Sequence, residues 1–121
     1  MDEIRQQKID ALNMAVEYLD KLIPSMETVI SEIEGDMKED TIDFLMQIIE
    51  GLNFMIEIYN ATKDIINGEE QLINDDVLES ATKELSEGFA KKDYKKIAGG
   101  LKTNILPFLM VMKEAAKRAT A

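Results

Sequence analysis

From Leu12 onward, apolar residues fall at Leu12, Ala15, Leu19, Leu22, Met26, Val29 and Ile33, in alternating steps of three and four. That spacing keeps one face of a helix apolar. Ile9, Val16, Ile23 and Ile30 recur every seven residues beside it and widen the stripe. Pro24 falls inside the segment, where a missing N–H and a ring clash cost about 3 kcal/mol. The phase of the pattern nevertheless runs through it unbroken, so the spacing predicts one helix over about 3–34, kinked near Pro24.

Gly35 supplies a stop, and Asp36-Met37-Lys38-Glu39 has the form of a capping box. A second helix is therefore predicted over about 36–66. Its stripe is Ile42, Leu45, Ile49, Leu52, Ile56, Tyr59 and Ile66, and Phe44, Ile48, Met55, Ile58 and Ile65 add enough width to predict burial on more than one side. Gly51 costs about 1 kcal/mol relative to Ala at mid-helix, which points to a close neighbouring helix as compensation. Lys63 lies on the stripe and is expected to run its stem along the apolar face with its charge in water. A buried lysine of lowered pKa is the alternative.

Asn67-Gly68 ends this helix, and any of Asn74-Asp75-Asp76 can N-cap a third over about 75–90, with Val77, Leu78, Ala81, Leu85 and Phe89. Asp93 caps a fourth over about 93–119, carrying Tyr94, Ile97, Leu101, Ile105, Phe108, Met112, Ala115 and Ala119. Gly99-Gly100 and Pro107 predict a bend near its first half. No segment alternates with a period of two between turn residues, so the fold class is all-α. Short connections predict an antiparallel four-helix bundle, and 121 residues suit a single domain over 1–121.

Composition narrows the chemistry. The chain has no cysteine and no histidine. That removes disulfides, thiolate ligands, the cysteine nucleophile, the commonest metal ligand and the usual base near neutral pH. The formal charge of −10 argues against nucleic acid as a partner. The longest apolar run, Ile105 to Met112, is far short of the ~20 residues that span a bilayer. The N-terminus lacks a signal-peptide core, and the expectation is a soluble, cytoplasmic protein with no membrane partner. No cofactor or metal is expected either. Asp36, Glu39, Asp40 and Asp43 lack the spacing and glycine of a calcium loop and read as a solvated helix start. Glu50 and Glu57 lie two turns apart and read as solvent-facing acids. Eight methionines suit irregular cores or adaptable binding grooves, and core filling is the plainer reading.

Charge divides the chain unevenly. Residues 1–90 carry 6 basic and 22 acidic side chains, whereas 91–121 carry 8 basic and 2 acidic. Lys113, Lys117 and Arg118 suit the negative end of a helix dipole. Lys91, Lys92, Lys95 and Lys96 sit at the opposite end and either balance acids on neighbouring helices or form an anion or partner site. The run Ile105-Leu106-Pro107-Phe108-Leu109-Met110-Val111-Met112 circles the helix more than twice, too much for one buried face. A central position in the bundle, a second copy of the chain, or a partner helix would cover it. Ile105, Phe108, Leu109 and Met112 are the candidate partner interface.

Ile48-Ile49-Glu50-Gly51-Leu52, with Asp93-Tyr94 followed by Ala98, Leu101 and Leu106-Pro107, resembles a family of small, uncharacterised helical proteins from Firmicutes-type bacteria. Gly99, Lys102 and Asn104 depart from that pattern, where the family is acidic. The resemblance implies a helical bundle and carries no activity. In length, acidity and layout the chain is also loosely similar to flagellar export chaperones. The expected function is a non-enzymatic adaptor or chaperone-like bundle that binds itself or a partner helix through the fourth helix. The alternative is a bundle enzyme acting on an anionic small molecule, with Lys95 or Lys96 holding the anion and a carboxylate as base.

Overall fold

The computed structural model describes residues 2–121, and every regular element in it is helical. Helix α1 spans Asp2–Glu34, α2 Thr41–Ile66 and α3 Asp75–Ala90. The fourth helix is built from α4 (Tyr94–Gly100), one π-helical segment (Leu101–Ile105) and α5 (Leu106–Thr120).

All seven stripe residues of α1, from Leu12 to Ile33, are buried. Pro24 lies inside this single helix and faces solvent, where water can bond the carbonyl that its missing N–H leaves free. The Thr28 hydroxyl donates to the Pro24 carbonyl at 3.0 Å.

The capping box expected at Asp36 does not form, and α2 begins five residues later than expected, at Thr41. Thr41 is fully buried and holds the connection from both sides: its hydroxyl donates to Glu32 at 2.8 Å and accepts from the Lys38 N–H at 2.8 Å. Residues 36–40 are therefore a loop tied back to α1, and the acids read as a helix start lie mostly in it. The close approach expected at Gly51 is present. A Cβ there would collide with the Tyr18 hydroxyl and come within 3.1 Å of Leu22.

Helix α3 has the expected limits. Asn74 caps it by accepting from Asp76 N–H at 2.8 Å and Val77 N–H at 3.3 Å. Leu78, Ala81 and Leu85 are buried, but Val77, expected in the stripe, is 62 % exposed. Asp93 caps α4 through the Lys96 N–H at 3.1 Å.

The fourth helix continues where glycines and proline predicted a bend, and the π segment absorbs the disruption. Leu106 N–H reaches back five residues to the Leu101 carbonyl, and Pro107 follows in the first turn of α5. Such one-turn π segments occur inside otherwise α-helical stretches. The two glycines differ: a Cβ at Gly100 would meet Leu85 of α3 at 3.3 Å, whereas at Gly99 it would touch nothing within 4 Å. Gly99→Ala should therefore stabilise the fold by about 0.5–1 kcal/mol, the helix-propensity difference, read as a higher urea midpoint. Gly100→Ala should gain less.

The fourth helix packs against all three others: α1 and α2 along α5, and α3 along α4 and the π segment. Ion pairs join the same neighbours. Lys113 pairs with Asp20, Lys102 with Glu34 at 3.4 Å and Lys96 with Glu87 at 3.5 Å, while Lys8 pairs with Asp64 at 3.0 Å between α1 and α2. These exposed pairs contribute little to stability individually.

Candidate functional site

The central position of the fourth helix accounts for most of its apolar run. Ile105, Leu109 and Met112 have no exposed surface, and Phe108 is 7 % exposed. The four candidate interface residues are thus core residues, and of the four Phe108 alone also lines a surface depression. The exposed members of the run are Pro107, Met110 and Val111. Sequence spacing failed to separate the two sets because the run is apolar on every side.

The cationic cluster is also divided. Lys91, Lys92, Lys95 and Lys96 are all exposed, and Lys92 adopts a left-handed backbone with φ of 53° at the turn into α4. Lys96 bonds Glu87, as charge balancing would have it; Lys91, Lys92 and Lys95 have no ion-pair partner among the described residues. None of the four lines the surface depressions that surround the fourth helix. Glu50 and Glu57 are exposed on α2. Lys63 is exposed and bonds Asp75 at 2.9 Å.

What the structure does bring together is an apolar groove beside the fourth helix. Its centre, about 320 Å³, is lined by Leu72 and Ile73 of the α2–α3 loop, Val77 and Leu78 of α3, and Pro107, Phe108 and Val111 of α5. Thr103 and Asn104 of the π segment border it. One end runs on through Met110, Glu114 and Arg118, and the other past Asp76, Ser80 and Glu84. Leu72, Val77, Met110 and Val111 are 36 %, 62 %, 47 % and 37 % exposed, so four large apolar side chains border one groove instead of being scattered.

The groove depends on a hydrogen-bonded clamp that the sequence did not announce. Asn67, read only as a helix stop, accepts from Leu72 and Ile73 N–H, both at 3.0 Å. Its amide donates to the Ile73 carbonyl at 3.3 Å and to the Tyr59 hydroxyl at 3.2 Å. That hydroxyl donates to Asp75 at 2.6 Å, and the Tyr59 ring meets Phe108 edge-on at 5.6 Å. Loop, α3 and groove floor are thereby referenced to one buried tyrosine.

Burial, with Asp75 beside it, pushes the Tyr59 phenol up from 10.0 to about 12. The Tyr59 hydroxyl and Lys63 in turn hold Asp75 below the usual carboxylate range. The folded chain grips the Tyr59 proton more tightly than the unfolded chain does. That stabilisation is complete below pH 10 and is lost as pH rises towards 12. Absorbance titration at 295 nm should show one of the three tyrosines ionising near pH 12, with alkaline unfolding in the same range. Tyr59→Phe should remove that late component. The carboxylates act in the opposite direction: Asp20 beside Lys113, Asp64 beside Lys8, and Asp75 are depressed, and their contribution disappears as pH falls below the ordinary carboxylate value.

Among the described residues no three metal-ligating side chains lie together, and no helix is long and apolar enough to cross a membrane. A family model described as a domain of unknown function (DUF8042) matches residues 10–115. No curated protein and no solved structure matches the chain.

Proposed function

The chain belongs to the DUF8042 family, whose description carries no activity, and from the groove we propose that it is a non-enzymatic interaction protein that receives a partner helix. The observation that carries this reading is the exposure of Leu72, Val77, Met110 and Val111 around one groove. The fourth helix remains the binding element of the sequence reading, but through its outer face in place of its core face.

We take the four helices to form an antiparallel bundle. Lys8 near the start of α1 pairs with Asp64 near the end of α2, and Glu34 and Asp20 of α1 meet Lys102 and Lys113 in reversed order, which supports that arrangement. A small cytoplasmic adaptor, chaperone-like in layout and from a Firmicutes-type bacterium, is the setting we propose. An acidic chain without cysteine suits it.

Affinity capture from native cells tests the reading when wild type is compared with Val77→Asp/Val111→Asp, in which two exposed side chains become charged. A protein retained by wild type and lost by the variant supports it. Equal recovery by both overturns it. Sedimentation equilibrium of the purified chain distinguishes a separate partner from a second copy in the same groove: a monomer is expected.

A further inference from the structure

The groove is apolar at its centre, but one of its ends is not neutral. Asp76 and Glu84 line the depression that continues the groove past Val77 and Asn104. Both are exposed, and neither has an ion-pair partner among the described residues, although Asp75 beside Asp76 is neutralised by Lys63. At the far end Glu114 pairs with Lys117 at 4.0 Å, and Arg118 has no ion-pair partner among the described residues. The unpaired cations Lys91, Lys92 and Lys95 do not line the groove.

We infer that the groove's occupant is a basic amphipathic helix of another protein, its apolar stripe on Val77, Met110 and Val111 and its lysines or arginines facing Asp76 and Glu84. This assignment rests on the proposed function and adds the chemistry of the partner. An apolar floor with carboxylates at one end complements a helix whose stripe has cations at the matching end, and it disfavours an acidic one there. The groove follows the fourth helix from Thr103 to Arg118, roughly 22 Å at 1.5 Å per residue, which accommodates about four turns of a partner helix. Four turns present anchors at i, i+3 or i+4, i+7 and i+11, the usual mode of helix-in-groove recognition.

The test uses the full chain and three synthetic 18-residue peptides with one leucine stripe and lysine, glutamine or glutamate at every other position. Fluorescence anisotropy at 0.15 M salt gives affinity, and amide chemical shifts give location. The lysine peptide should bind tightest and shift Val77, Met110 and Val111. Asp76→Asn/Glu84→Gln should weaken it about tenfold, whereas Glu17→Gln/Glu27→Gln on the exposed side of α1, an equal change in net charge, should alter it less than twofold. Thermal melts of both variants confirm that each is folded, and Val111→Glu provides a second route to the same loss. If the glutamine or glutamate peptide binds the groove equally well, the charge assignment fails while the groove reading stands. An equal loss in the α1 variant also overturns the assignment, because the lysine peptide is then attracted to the acidic surface as a whole. If no peptide shifts the groove residues, both fail.

Discussion

Met112→Lys should unfold the protein, whereas Met110→Lys, two residues earlier on the same helix, should leave its melting temperature within a few degrees of wild type. Met112 has no exposed surface and Met110 is 47 % exposed. An unpaired ammonium at position 112 has no carboxylate within the apolar core to meet it, and an uncompensated buried charge costs about 3–5 kcal/mol. That is a large part of the roughly 5–15 kcal/mol that holds a domain together. Phe108→Glu belongs with Met112→Lys, since Phe108 packs on buried Tyr59. Far-ultraviolet circular dichroism with thermal melts checks both substitutions. Similar melts for the two methionine variants would mean that the run does not divide into core and groove faces as described.

Asn67→Ala should cost about 2–4 kcal/mol, more than an exposed loop residue usually does. The substitution removes two acceptor contacts to Leu72 and Ile73 N–H and two donor contacts to the Ile73 carbonyl and Tyr59 hydroxyl. Each is worth about 1 kcal/mol net, and a buried group left without its partner costs more. Hydrogen exchange locates the effect: the Leu72 and Ile73 amides should lose protection far beyond the global change in stability. Leu72 borders the groove, so the variant should also bind a groove ligand more weakly while α1 keeps its protection. Uniform loss across all four helices would indicate that the clamp holds the whole bundle and not the loop.

The sequence disclosed the fold where local and tertiary signals agree. The α1 stripe, a cap for α3 within residues 74–76, the Asp93 cap, and the tight approach at Gly51 all follow from spacing or residue type, and each is found in place. The start of α2 was illegible because the capping-box pattern at Asp36 competes with Thr41, whose partner Glu32 lies on another helix and leaves no local mark. The same limit applies to Asn67, since its four bonds depend on how the loop returns. Charge segregation identified the fourth helix as distinctive, and its fully apolar run pointed to a central place as one of three explanations. The groove itself could not be read, because Val77 and Leu72 join Met110 and Val111 only after α3 and the loop have folded against α5. An apolar residue beside a stripe looks the same in sequence whether it faces core or water.

Site-specific photocrosslinking in native cells tests the groove most directly, with a benzoylphenylalanine placed in turn at Val77, Met110 and Val111, and at Met14 and Met46 as controls. Met14 and Met46 are 52 % and 49 % exposed and do not line the groove, so reactivity at an apolar surface position is matched. The expected result is a common adduct of one partner mass at the three groove positions and none at the controls. Adducts at Met14 or Met46 with none at the groove, or no adduct at any of the five, would contradict it.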